Sequence, residues 1–124
     1  MTFEGVLKQE LSKISVLNDN IYPLSVPESV PAPYVAYVQA GGEYLKTLDG
    51  YSKPSEVIYE INILTEKYGQ LKQLEKQVVN TLKGLINVNT DDGVIQDVSV
   101  DVPIEKYEES VKLQRANIEF TVYF

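Results

Sequence analysis

Hydrophobic positions return at two different steps along this chain, and each change of step marks a new element. Phe3, Leu7, Leu11, Ile14 and Leu17 recur every three or four residues, the stripe of an amphipathic helix. Thr2 stands where an N-cap belongs, and Glu4 puts a negative charge in the first turn, where the helix dipole favours it. Asn18-Asp19-Asn20 predicts the helix end. Ile21 to Leu24 reads as at most a short edge strand, because Pro23 has no amide hydrogen for a ladder. Pro27, Pro31 and Pro33 then hold the connector extended and stiff.

From Tyr34 the step becomes two. Tyr34, Ala36 and Val38 alternate with Val35, Tyr37 and Gln39, so both faces carry apolar or aromatic groups. That predicts a strand covered on both sides, or one whose outer face meets a partner. Val57, Tyr59, Ile61 and Ile63 line one face of the next strand, with Glu60 and Asn62 on the other. A second helix follows from Leu71, Leu74, Val78, Leu82 and Leu85, with Lys72, Lys76, Asn80 and Lys83 on its wet side. Asp91-Asp92-Gly93 is a turn signal. Val94, Gln96, Val98, Val100 and Val102 alternate with Ile95, Asp97, Ser99 and Asp101, which predicts one half-buried strand. Ala116, Ile118, Phe120, Val122 and Phe124 form the apolar face of a last strand, expected inside the sheet. The order predicts a single α+β domain over residues 1–124. It would be a two-layer sandwich, an antiparallel or mixed sheet of four to five strands with two helices on one face.

Composition narrows the chemistry. A chain of 124 residues buries enough surface for a core without disulfides or a structural metal. Cysteine and histidine are both absent, which removes thiolate catalysis, Ser-His-Asp triads and histidine-based metal sites. The net charge is −7, with one arginine, Arg115, and scattered lysines. Tight phosphate binding needs clustered cations, so sequence-specific nucleic-acid binding is not expected; the acidity by itself reads as solubility. Glu4, Lys8 and Glu10 interrupt any signal-peptide run, and no stretch approaches a membrane span.

Chemical motifs are weak. Asp97 and Asp101 share a strand face that Glu119 could join, and such carboxylates can hold a cation or move protons; an ordinary polar sheet face explains them as well. Asp91-Asp92-Gly93 lacks the other ligands of a calcium loop, and Gly41-Gly42 lacks the lysine and spacing of a phosphate loop. Neither an enzyme nor a cofactor is expected.

Two connections are long. Gly41 to Ser55 spans about fifteen residues, where a hairpin loop usually takes ~2–5. Either Gly41-Gly42 is a bulge and the strands run on to a turn at Asp49-Gly50, or the segment is a separate loop. Both place tyrosines and leucines beyond the body, where a partner surface is the natural use. Pro103 to Val111 reads as a solvated turn, with Tyr107 available as a rim contact. Tyrosine suits interfaces, and nine are present. The interface candidates are Tyr37, Tyr44, Leu48, Tyr51 and Tyr107.

A helix, then Ile21-Tyr22-Pro23-Leu24, then a proline-rich connector, then Pro31-Ala32-Pro33-Tyr34-Val35-Ala36-Tyr37-Val38 is an order of elements with a precedent. It resembles the tail-completion, or tail-terminator, proteins of long-tailed bacteriophages, and the likeness covers most of the chain. The resemblance implies a non-catalytic ring, typically hexameric, that caps the tail tube and joins it to the capsid. Its implied partners are further copies of itself, the tail-tube protein and a head-completion or connector protein, with DNA only passing through. It implies assembly in the host cytoplasm and a final place at the head–tail interface of the virion. A head-side neck protein, or a small-ligand-binding or regulatory α+β domain, is the alternative.

Overall fold

The computed structural model describes residues 1–27, 30–47 and 50–124, with side chains for all of these except 45–47 and 51–53. Helix α1 (Phe3–Leu11) is followed by strands β1 (Ile21–Pro23), β2 (Tyr34–Thr47) and β3 (Gly50–Thr65). Helix α2 (Tyr68–Lys83) leads to β4 (Asn89–Thr90), β5 (Gly93–Val94), β6 (Asp97–Val100), β7 (Ile104–Glu108) and β8 (Leu113–Tyr123). The main sheet has the order β1-β2-β3-β8-β6, with β7 also on β8, and β4 and β5 form a separate small hairpin. Only β1 runs parallel to its neighbour, so the sheet is mixed. The architecture is the expected α+β type.

The period-two faces set the core. Val35 and Tyr37 from β2, Val57 to Ile63 from β3, and Ala116 to Val122 from β8 point their alternate side chains toward the helices. They meet Phe3, Leu7 and Leu11 of α1 and Leu71, Leu74, Val78 and Leu82 of α2. Aromatic rings tie the layers together: Phe3 lies 5.1 Å from Tyr59, and Tyr59 stacks on Phe120 at 5.6 Å. β8, between β3 and the edge strands, sits inside the sheet as its pattern predicted.

Thr2 does cap α1, its hydroxyl accepting from the Gly5 amide at 3.2 Å. The Asp91-Asp92-Gly93 turn holds the same end. Asp92 accepts from the Phe3 amide at 2.9 Å, and the Asp91 carboxylate lies 3.1 Å from the Met1 ammonium. A helix start leaves amides without internal partners, and this turn supplies one.

Three expectations need correction. The first helix ends at Leu11, earlier than its stripe suggested. Ile14 and Leu17 still reach the core, because Ile14 and Leu17 amides bond three residues back and keep the same side inward. The strand expected from Val94 to Val102 is split. Ile95 is buried while Val94 and Val102 are exposed, so the valine alternation spans two different elements.

The third correction concerns Pro103 to Val111, expected to be a solvated turn. It contains β7, which pairs Ile104–Glu108 with Asn117–Leu113 of β8. β6 and β7 are one edge strand interrupted by a bulge. The Asp101 amide bonds Glu119 and Ile104 faces Asn117, leaving Val102 and Pro103 opposite Ile118. Pro103 has no amide hydrogen, so the ladder breaks there.

Candidate assembly surface

The β2–β3 hairpin outruns the sheet that carries it. β8 pairs with β3 from Thr65 back to Glu56, and the Phe124 amide reaches Ser55. Beyond that point, among the described residues, β2 and β3 pair only with each other: Glu43 with Glu56, Tyr44 with Pro54, Lys46 with Tyr51 and Thr47 with Gly50. The strands therefore run on as the bulge reading anticipated. Glu43 to Thr47 adds roughly 15 Å of two-stranded arm.

The root of the arm is bent by design of its backbone. Register shifts fall between Gln39 and Gly41, and again around Tyr44. Gly41 and Gly42 have φ of 147° and 146°, a region that residues with a side chain rarely enter. At Gly42 a Cβ would also press on the Glu56 carbonyl oxygen and lie 2.9 Å from the Val57 Cα. Only glycine lets the two backbones approach this closely. Bulges and twist are a common way to keep a bare strand edge from pairing indiscriminately.

Two clefts flank this root. One, of about 410 Å³, lies between the arm and the start of α1, lined by Phe3, Glu4, Gln39, Pro54, Tyr59 and Asp92 among others. Within it the Tyr59 hydroxyl donates to Glu4 at 3.2 Å. Burial first, and then the Glu4 charge, push the Tyr59 phenol well above its ordinary range, so it stays neutral. The other cleft, about 220 Å³, is lined by Gly41, Gly42, Tyr44, Pro54 and Val57 among others.

The interface candidates fall in four different situations. Tyr44 lies on the arm and is 63% exposed, the position a docking residue needs. Tyr51 pairs with Lys46 on the same arm, its side chain outside the described set, and Leu48 falls outside the described residues altogether. Tyr107 is exposed on β7 but sits opposite Gln114, which pairs with Thr65. From Gln114 to Tyr123, beside the arm root, β8 runs roughly 30 Å, so Tyr107 belongs to the far end of the sheet. Tyr37 is a correction: it is 6% exposed in the core, opposite Ile61, and has almost no surface to offer a partner. Its phenol too is raised by burial and then by Glu4.

The second sheet face is the outer face that the sequence leaves either covered or open to a partner. Helices cover one side; on the other, Tyr34, Ala36 and Val38, Ile58 and Leu64 remain half-buried. Asn62 Oδ1 accepts from Arg115 Nε and from Asn117, both at 3.0 Å, and Arg115 also pairs with Glu108 at 2.7 Å. Glu60 stands directly opposite Glu119. The dual apolar character of Tyr34 to Val38 was the available signal. Of the carboxylates considered for metal binding, Asp97 accepts from the Val98 amide, and no metal-holding cluster occurs among the described residues. No helix among them is long and apolar enough to cross a membrane.

No protein-family model and no curated protein matches the sequence. Solved structures do match in fold. A chain in the virion of a native gene transfer agent particle superposes with a TM-score of 0.69 at 12% identity, over 98% of this chain and 93% of that one. A second solved chain gives a TM-score of 0.53 at 14% identity, covering 99% of this chain and 92% of its own. At such identities the likeness establishes one thing: this arrangement of strands and helices is a fold that a virion chain also uses.

Proposed function

We propose that this protein is a structural component of a phage-like virion that closes the tail tube and joins it to the capsid. It does so by contact and without catalysis, as a ring of identical subunits. The observation that carries the reading is the β2–β3 arm, a hairpin that continues past β8 with an exposed Tyr44 and a glycine-built bend at its root. Among the described residues no third strand joins that extension. A fold shared with a gene transfer agent virion chain supports the same class of role.

In this reading the arm packs Tyr44, Leu48 and Tyr51 against a neighbouring subunit or the tube. Aromatic anchors that fill a pocket typically contribute ~2 kcal/mol or more each. The net charge of −7 suits a ring through which DNA passes ungripped. Assembly takes place in the host cytoplasm, and the ring ends at the head–tail junction.

The test is genetic and visual. Deleting the gene from its producing strain should leave capsids and tails separate, with tails of irregular length in electron micrographs. Normal joined particles from the deletion strain would refute the reading.

A further inference from the structure

Among the described residues, Glu75 is the charged side chain that the core accepts, at 7% exposure. Its position explains this: it lies four residues after Leu71 and three before Val78, within the apolar stripe of α2. Its Oε1 is 3.8 Å from Lys72 Nζ, while its Oε2 is buried with no hydrogen-bond partner. Glu105 of β7 shares the Lys72 ammonium with it. That carboxylate is already well supplied, with Lys72 Nζ at 2.7 Å on Oε2 and the Tyr68 hydroxyl at 2.8 Å on Oε1. Two ionised carboxylates around one ammonium, one of them buried, repel each other and leave a desolvated charge. A single proton removes both costs, because a neutral Glu75 carboxyl can donate to an ionised Glu105.

We propose that Glu75 and Glu105 share one proton across the α2–β7 contact and form a latch that fastens the edge strand to the helix, opening when that proton leaves to solvent.

Ionisation follows the geometry. Burial first, then the hydrogen bond and charge of Glu105, raise Glu75 to about 7 against the partial opposition of Lys72. Glu105 is held low by its bonds from Glu75, Lys72 and Tyr68. α1, β3, β6 and β8 also pack on α2, but the groups that act on Glu75 are Glu105 and Lys72; Lys76 and Glu75 both line a separate cleft beside Pro103. A raised acid stabilises the fold fully below its ordinary value, and that contribution fades as pH rises through about 7. The latch is therefore closed in mild acid and loosens above neutrality.

β7 is the element such a latch can move. Ile104 and Tyr107 are 71% and 47% exposed, so apolar packing holds this strand weakly. Its other ties are the bonds from Lys72 and Tyr68 to Glu105, the ladder to β8 and the Glu108–Arg115 pair. Releasing it would bare the β8 edge from Leu113 to Asn117.

The test compares wild type with Glu75→Gln, which keeps a donor and cannot ionise, by amide hydrogen exchange at matched pH. At about pH 8.5 the amides of 104–108 should exchange at least about tenfold faster in wild type than in the variant, and at about pH 5.5 the two should agree within about twofold. Equal protection at both pH values, or weaker protection in the variant at both, overturns the latch. As an arm independent of that variant's folding, carbon NMR should titrate the Glu75 carboxyl near neutrality in wild type and lower in Glu105→Gln. A wild-type midpoint in the ordinary glutamate range overturns it as well. The outcome is independent of what the arm touches.

Discussion

The inner and outer halves of the β2–β3 hairpin are the same two strands under opposite circumstances. From Tyr34 to Gln39, β2 lies between β1 and β3, and β3 in turn lies against β8. There Val35 and Tyr37 of β2 and Val57, Tyr59, Ile61 and Ile63 of β3 are buried in the core with the helices. From Glu43 to Thr47 the ladder continues, but no third strand among the described residues joins it, and Tyr44 faces solvent. A two-stranded ribbon alone is marginally stable, so the outer half depends on the inner half for its order. The difference shows where the molecule stores its stability and where it displays surface.

Mutations should separate the halves. Ile61, fully buried on the inner half, should cost about 2–5 kcal/mol of unfolding free energy when changed to alanine, read by denaturant titration. Next comes the boundary. Gly42→Ala forces a Cβ onto the Glu56–Val57 backbone and should destabilise by about 1–3 kcal/mol. Gly41→Ala meets open space and carries backbone strain only, so its loss should be the smaller of the two, about 1 kcal/mol. Equal losses at both glycines would break the account of a close-packed root.

A third effect lies away from the hairpin and sharpens the contrast by acting on the opposite sheet edge. From about pH 5 to about 7 the wild-type stability should fall with rising pH, by up to about 1.4 kcal/mol per pH unit while folded Glu75 keeps its proton, and level off above; Glu75→Gln should flatten the slope. Chemical denaturation across that range measures it. The smallest change belongs to the outer half. Tyr44→Ser should move stability by less than about 0.5 kcal/mol, because its side chain is mostly in water.

Periodicity made the layers legible. Val57 to Ile63, the α2 stripe and Ala116 to Val122 all lie where their spacing put them, because apolar burial drives those elements. β7 was not legible, since it is held by charge: Glu105 to Lys72 and Tyr68, and Glu108 to Arg115. Alternation of apolar residues carries no trace of such ties. Tyr37 misled for a related reason. Both faces of β2 are rich in aromatics, and the sequence does not say which face the helices cover. Glu75 was readable in principle, being a carboxylate inside the stripe from Leu71 to Val78, but its partner lies thirty residues on along the chain.

The proposal that the arm docks through its side chains can be tested with one substitution set. Tyr44, Leu48 and Tyr51 changed together to serine, in the producing strain, should leave a folded protein with an unchanged melting temperature. Electron micrographs of that strain should then show capsids and tails apart, the tails uneven in length. Joined particles with tails of normal length, made by the same folded variant, would contradict the claim that this hairpin is the contact.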